Sequence, residues 1–243
     1  MTVEFLRNNL KNLPEILLQR ANSIYLYGSV ARGENDGDSD CDLFVCIDDC
    51  TDKDLLMITQ SVLEWEQKYR CEFSFYQMHK LYDMQRKGSY FLWHIKKEGI
   101  LLYQRNNFFD NILLELAPYT GAKSDLIEYS EIVEDITRSI TVDTSTIEYD
   151  LSVLATIARN TCISCCYLLG NMDFGRKSPV EKCIQYWGNI FPFSLVEYSQ
   201  LYDFRLAAVR GKKSANNPAS LDYICRWINV IRELISLALS LVR

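Results

Sequence analysis

The residues best suited to chemistry lie between positions 28 and 42 of the 243-residue chain. A β-rich run ends at Gly28, where the missing side chain lets the backbone approach a ligand closely. Ser29 then opens a short helical segment, whose free N–H groups and dipole suit a phosphate. Asp40 and Asp42 stand at positions i and i+2 of the next β-rich run. Their carboxylates are therefore predicted to point to one face of a strand.

A third carboxylate, that of Glu72, is predicted to join this pair. It lies on the following β-rich run, at a position whose alternation allows it to face the same way. Neighbouring carboxylates repel each other unless a cation lies between them, and hard oxygen ligands suit Mg²⁺. Glu72 would ligate the second of two metal ions or deprotonate an attacking hydroxyl. A phosphate cradle facing a divalent-metal site is what phosphoryl or nucleotidyl transfer requires.

Other charged residues near the motif have simpler interpretations. Asp36 and Asp38 belong to an Asp-Gly-Asp-Ser stretch of ordinary turn chemistry, so both are assigned to a loop. Asp40 and Asp42 differ from them, because they are correctly spaced from Gly-Ser and lead directly into an apolar run. For Arg32, a surface salt bridge and a contact with phosphate both remain open.

Strands and helices that alternate over the first hundred residues must position these side chains. Four β-rich runs cover residues 23–27, 41–47, 71–76 and 99–103. A helix is predicted from Thr51 or Asp52 to Lys68, and a single amphipathic helix over the first twenty residues. This alternation predicts a small mixed β-sheet domain over residues 1–105.

The rest of the chain, residues 106–243, has helical periodicity almost throughout. Five or six helices packed as an all-α bundle are predicted there, which makes the fold class α+β. Ser178 and Pro179 are predicted as the N-cap and first residue of one of these helices. The spacing of three cysteines predicts a core stripe rather than a metal cluster: Cys162, Cys165 and Cys166.

Composition and charge exclude several classes of protein. The chain has 48% hydrophobic and 24% charged residues, which is ordinary for a globular protein and disfavours disorder. Its net charge of -6, without a run of Lys or Arg, disfavours a long nucleic acid as partner. Nine cysteines without the spacing of a secreted scaffold favour a reducing cytoplasm. Neither a secretory signal nor a membrane-spanning segment is predicted.

Gly-Ser, ten intervening residues and Asp-x-Asp, with Ala-Arg-Gly just after the serine, resemble the signature of the DNA polymerase β-like nucleotidyltransferase superfamily. The likeness is strongest to the minimal nucleotidyltransferases and antibiotic adenylyltransferases, and it covers roughly residues 20–103. It implies that Ser29, next to Gly28, binds triphosphate oxygens. It also implies that Asp40, Asp42 and Glu72 bind the metal ions.

The helical half is similar to the bundles of aminoglycoside adenylyltransferases and to the HEPN domains that partner minimal nucleotidyltransferases. Residues 150–170 and 174–179 carry this likeness. It implies that Arg176 and Lys177 reach the triphosphate. The general base is left open among Glu72, Glu148 and Asp150. HEPN ribonucleases use a histidine after an arginine, and the chain has no histidine beyond residue 94, so an active nuclease is excluded.

The resemblance implies a Mg²⁺-dependent enzyme that transfers a nucleoside monophosphate, in the first place AMP from ATP, to a hydroxyl acceptor with release of pyrophosphate. The expected acceptor is a small molecule such as an aminoglycoside-type antibiotic, whose positive charge suits an acidic protein. Alternatives are AMPylation of a protein in a toxin–antitoxin-like system, the 3′ end of a tRNA, and a non-catalytic nucleotide-binding regulatory module. A cytoplasmic monomer or homodimer without a membrane partner is expected.

Overall fold

The structure, a computed structural model, describes residues 3–36, 39–211 and 219–242. It divides into two compact units, Met1–Thr120 and Gly121–Arg243. The first unit contains a four-stranded sheet of order β3-β2-β1-β4 surrounded by helices. In the second unit the described residues form helices and connecting loops. The α+β fold class predicted from the sequence is confirmed.

The four predicted strands are all present in the first unit: β1 (Ala21–Tyr27), β2 (Cys41–Ile47), β3 (Cys71–Gln77) and β4 (Ile100–Gln104). Its helices are α1 (Val3–Asn9), α2 (Glu15–Arg20), α3 (Gly28–Ala31), α4 (Asp52–Tyr69), α5 (Met78–Arg86), α6 (Tyr90–Glu98) and α7 (Phe108–Leu114). Strand β1 is antiparallel to both β2 and β4, whereas β2 and β3 are parallel. The sheet is therefore mixed, as predicted.

Helix α4 is the crossover that allows β2 and β3 to run parallel. It begins with a capping box, in which the hydroxyl of Thr51 accepts the backbone N–H of Asp54 and the Asp54 carboxylate accepts that of Thr51. It ends at Arg70, whose backbone adopts the left-handed conformation with φ 49°. The predicted helix between Thr51 and Lys68 is confirmed.

The single N-terminal helix predicted from the amphipathic pattern is wrong. Helix α1 gives way to a 3-10 turn at Leu10–Asn12, and α2 starts only after Pro14. Proline lacks a backbone N–H and disfavours the helical conformation in the residue before it, so Leu13 is extended. The apolar face survives the break, because Leu6 and Leu17 are both fully buried.

Alternation along the strands divides the side chains of the sheet between two cores. One core lies under α1, α2 and α4 and includes Ile24, Leu26, Leu43, Val45 and Phe73. The other lies under α5, α6 and α7 and includes Tyr25, Phe44, Cys46, Leu92 and Phe109. Asp42 stands two residues before Phe44, so its side chain belongs to the second, more aromatic face.

Helix α7 explains where the first unit ends. Its residues Phe109 and Ile112 are buried in the aromatic core of the sheet, so the compact unit extends to Thr120. The change to helical periodicity places the boundary at residues 105/106 instead. Periodicity identifies the helix but does not tell which unit it packs against.

The second unit is built around α9 (Ile147–Leu168), which contacts each of the other four α-helices: α8 (Ala122–Val142), α10 (Ser178–Trp187), α11 (Leu195–Val209) and α12 (Leu221–Leu239). By length and composition α9 alone among the described helices passes for a membrane span, but 67% of its apolar window is buried inside the protein. That burial is typical of a core helix. The predicted core stripe is confirmed, since Cys162, Cys165 and Cys166 are all buried.

The start of α10 differs by one residue from the sequence prediction. Lys177 occupies the N-cap position, and Ser178 is the first helical residue, followed by Pro179. The hydroxyl of Ser178 donates a hydrogen bond to Asp173 Oδ1 at 2.7 Å instead of capping the helix. Asp173 also pairs with Lys182 at 2.7 Å, so this carboxylate organises the start of α10.

Candidate active site

Strand register brings Asp42 and Glu72 together on the sheet. Asp42 pairs with Glu72 in the parallel ladder between β2 and β3, and with Tyr27 in the antiparallel ladder between β1 and β2. Paired residues of neighbouring strands project from the same face. Tyr27, Asp42 and Glu72 therefore form a row across three strands, at one end of the aromatic core.

The backbone turn at Gly28 lies directly against one of these carboxylates. Gly28 has φ +73°, and a Cβ atom placed on it would lie 2.1 Å from Oδ2 of Asp42. Glycine is thus required both for its conformation and for the room it leaves to the carboxylate. Ser29 follows within the single turn of α3, whose first N–H groups have no partner inside the helix. The turn at Gly28 lies close to Asp42, and the predicted approach of this backbone to a ligand stays a prediction.

Asp40 lies at the rim of this arrangement. The ladder between β2 and β3 begins with the pair Cys41 and Cys71, so Asp40 precedes the strand on which the sequence analysis placed it. Its side chain is 64% exposed and lies 3.7 Å from Nη2 of Arg70. Among the described residues, no three His, Cys, Asp or Glu side chains are already gathered around a cation position. Asp40 would have to rotate toward Asp42 for both to ligate one ion.

The electrostatics of Asp42 fit a cation all the same. Burial, together with the charges of Glu72 and Asp40, raises the pKa of the Asp42 carboxyl to about 6, and only Arg32 opposes this shift. The raised pKa means that the ionised carboxylate of Asp42 is destabilised, both by burial and by the neighbouring negative charges. A divalent cation would offset the repulsion, and carboxylate oxygens are the ligands that Mg²⁺ prefers.

Two polar residues of the same face, Tyr27 and Ser74, were not predicted as site residues. The hydroxyls of Tyr27 and Ser74 are hydrogen-bonded to each other at 3.3 Å. Burial raises the pKa of Tyr27 to about 12, and the charges of Asp42 and Glu72 act in the same direction. For Ser74 the available signal was alternation, because it stands two residues after Glu72. For Tyr27 it was the position directly before Gly28.

Arg32 is held by ion pairs inside the first unit. Its Nε lies 2.8 Å from Glu34, and its Nη1 lies 2.9 Å from Glu98 at the end of α6 and 3.4 Å from Nε2 of His94. Only 15% of the Arg32 side chain is exposed. Burial tends to raise the pKa of Glu98, but hydrogen bonds from His94 and Arg32 hold it below its usual value. The contact of Arg32 with phosphate stays a prediction.

Replacing Arg32 with methionine should lower the free energy of unfolding by about 2–4 kcal/mol, because Glu98 would remain buried without its guanidinium partner. Urea denaturation at pH 7 measures this loss. Arg86→Met is the matched control: Arg86 pairs with Asp83, but its side chain is 74% exposed, so its removal should cost less than about 1 kcal/mol. Equal stability of the Arg32→Met variant and the wild type would contradict a structural role.

The remaining predicted site residues belong to the second unit. Lys177 is exposed, at the N-cap of α10, and the guanidinium of Arg176 lies 6.0 Å from the centre of the Tyr202 ring. Glu148 is exposed in the first turn of α9. Asp150 is buried, and its Oδ2 accepts a hydrogen bond from Thr146 Oγ1 at 2.8 Å. The triphosphate contact of Lys177 and the role of either acid as base stay predictions.

Comparison with known proteins gives a match for the first unit and a likeness for the whole chain. Residues 8–108 match the family model described as polymerase beta, nucleotidyltransferase. A crystal structure of spectinomycin adenyltransferase AAD(9) from Enterococcus faecialis, with ATP and spectinomycin, has a TM-score of 0.52 and 14% identity. The likeness covers 97% of this chain and 100% of that one, and at this identity it shows the fold alone. No curated protein matches the sequence.

Proposed function

We propose that this chain, a nucleotidyltransferase whose residues 8–108 form a domain of the polymerase beta family, transfers AMP from ATP to a hydroxyl acceptor with Mg²⁺. Pyrophosphate is the second product. The observation that carries the proposal is the pairing of Asp42 with Glu72 in one register beside the turn at Gly28. A turn suited to bind phosphate and a pair of carboxylates suited to bind a divalent cation thus lie next to each other.

In the first unit, one set of residues binds the phosphates and another binds the metal ions. The hydroxyl of Ser29 and the N–H groups of the first turn of α3 donate hydrogen bonds to triphosphate oxygens. Asp42 and Glu72, together with Asp40, would hold two Mg²⁺ ions. When bound, the ions favour the deprotonated acceptor hydroxyl and neutralise charge on the departing pyrophosphate.

The transfer itself is an in-line displacement. The acceptor oxygen forms a bond to the α-phosphorus, and the bond from that phosphorus to the bridging oxygen of pyrophosphate breaks. The proton of the acceptor hydroxyl goes to a carboxylate, for which Glu72, Glu148 and Asp150 are the candidates. Lys177 is proposed to contact the triphosphate.

We propose a small, positively charged, hydroxylated acceptor, of the kind represented by aminoglycoside-type antibiotics. Two observations support this class. The net charge of the chain is -6, which suits a cationic acceptor. In addition, the structure of similar fold contains ATP and spectinomycin. We also propose a cytoplasmic monomer or homodimer, with a helical unit of HEPN-like type.

A screen with ATP labelled at the α-phosphate tests the reaction and the acceptor together. The purified protein is incubated with Mg²⁺ and, separately, with antibiotics, cell protein and tRNA. Label on a small molecule supports the proposal, whereas label on protein or tRNA alone replaces the proposed acceptor by that class. Mg²⁺-dependent ATP binding without transfer to any of these acceptors would favour the non-catalytic nucleotide-binding module, and absence of both would contradict the proposed function.

Glu72→Gln should lower the rate of transfer by about a hundredfold, which corresponds to nearly 3 kcal/mol of transition-state stabilisation. The amide keeps the shape of the side chain but loses the charge that a cation needs. Single-turnover rates over a range of Mg²⁺ concentrations measure the effect. Glu64→Gln is the control, because Glu64 is exposed on α4, which packs on the other face of the sheet. A Glu72→Gln rate within twofold of wild type would remove Glu72 from the site.

A further inference from the structure

The register that pairs Asp42 with Glu72 also sets Asp40 beside Arg70, at the end of the same two strands. The Cα partners at the start of the ladder are Cys41 and Cys71, so the residues just before them are neighbours too. The N–H of Cys41 donates to the carbonyl of Arg70 at 3.0 Å, and Arg70 Nη2 lies 3.7 Å from Asp40 Oδ1. A backbone contact and an ion pair therefore join these two chain segments.

The backbone gives no reason for an arginine at position 70. Arg70 ends α4 with φ 49° and ψ 57°, and among the described residues no other non-glycine has a positive φ. Glycine and asparagine adopt this left-handed conformation with less strain. The reason for an arginine at this position must therefore lie in its side chain, which places a positive charge beside Asp40.

That charge stands where negative charge accumulates. Asp40 stands two residues before Asp42, and Asp42 pairs with Glu72 in the ladder, so three carboxylates are grouped at this end of the two strands. The Arg70 guanidinium is a cation already present at the rim of this group. A divalent cation that is to be ligated by Asp40 must compete with it.

We propose that Arg70 is a built-in counter-ion, which competes with the divalent cation for Asp40 and is exchanged for it when the site is loaded. The proposal rests on the proposed function, because it takes Asp40 as a metal ligand. Arg70 is a positioning residue that acts through Asp40. Its competition weakens metal binding in the absence of nucleotide. The triphosphate then offsets the guanidinium charge, so that metal and nucleotide load together.

The test is the affinity of the full-length protein for Mn²⁺ alone, followed by the electron paramagnetic resonance signal of the free ion. At low ionic strength, Arg70→Gln should bind Mn²⁺ about two- to fivefold more tightly than wild type, the range expected for the loss of one exposed ion pair. Arg70→Lys keeps the charge and should stay near wild type. The gain should shrink in about 0.5 M salt, where charges of exposed groups are screened.

Lys68→Gln is the matched control. It removes one positive charge two residues away, and Lys68 Nζ lies 5.1 Å from the centre of the Tyr69 ring. Equal Mn²⁺ affinities of wild type and Arg70→Gln, or an equal gain in Lys68→Gln, would overturn the competition and leave the metal site standing. Mn²⁺ binding that is absent, or that Asp40→Asn leaves unchanged, would instead remove Asp40 from the proposed metal site and this inference with it.

Discussion

Asp42→Asn is expected to lower nucleotidyl transfer by at least about a thousandfold, or on the order of 4 kcal/mol of transition-state stabilisation. Asp42 is the carboxylate that lies against Gly28 and pairs with Glu72, and an amide there cannot hold a hard cation with the strength of a carboxylate. Single-turnover transfer of labelled AMP measures the loss. Activity within tenfold of wild type would show that Asp42 is not a metal ligand.

Asp36→Asn is the matched control for this variant. Asp36 lies in the loop that leads to β2, where its Oδ1 accepts the Ser39 hydroxyl at 3.0 Å. This is the loop position predicted for it, whereas its companion Asp38 falls outside the described residues. Loss of the Asp36 charge should leave transfer within about threefold of wild type, since surface substitutions usually have small effects.

The same Asp42→Asn protein should be more stable than wild type above pH 6 when metal is absent. In the folded protein the pKa of Asp42 is raised from 3.8 to about 6, so ionisation of Asp42 opposes folding. Wild-type stability therefore falls as pH rises through this window, whereas the asparagine variant lacks this dependence. Thermal unfolding in EDTA should show the higher melting temperature at pH 8 and no difference near pH 4. A gain that is the same at both pH values would contradict the pKa shift.

The strands and the crossover helix could be predicted because the local sequence signals, apolar patterning and helix capping, agree there with the tertiary packing. Residues 43–47 form one apolar run directly after Asp42, and the capping box of α4 joins Thr51 to Asp54, three residues later. The prediction of a single N-terminal helix was wrong for a local reason, because Pro14 interrupts the helix although the apolar pattern continues past it. Helix α7 was recognised as a helix, but its packing against the sheet depends on contacts that periodicity does not encode.

In the candidate site, alternation allowed Glu72 to face the same way as Asp42, and the register of β2 with β3 pairs the two residues. The ion pairs could not be predicted in the same way. Arg32 meets Glu98, which is 66 residues away along the chain, and Asp40 meets Arg70 because β2 and β3 are paired in parallel from Cys41 and Cys71 onward. Such partners depend on tertiary register, and a single sequence does not contain it.

Gly28→Ala should reduce transfer by about a hundredfold or more while the protein still folds. The new Cβ atom would lie 2.1 Å from Asp42 Oδ2, so the carboxylate must move, and a displacement of about 1 Å in a catalytic group costs on the order of a hundredfold in rate. The left-handed backbone with φ +73° adds about 1–2 kcal/mol of destabilisation. Transfer rates and urea denaturation measure the two effects separately.

Gly33→Ala separates backbone strain from displacement of the carboxylate. Gly33 has φ +70°, almost the same conformation, but nothing lies within 4 Å of a Cβ atom placed on it. Both variants should therefore lose similar stability, about 1–2 kcal/mol, and only Gly28→Ala should lose transfer. If the two variants lose activity equally, Gly28 is required only for its backbone conformation and not for the space it leaves to Asp42. If only Gly28→Ala is inactive, the space between the turn and Asp42 is what transfer requires, and the close fit of turn and carboxylate is the geometry on which the site depends.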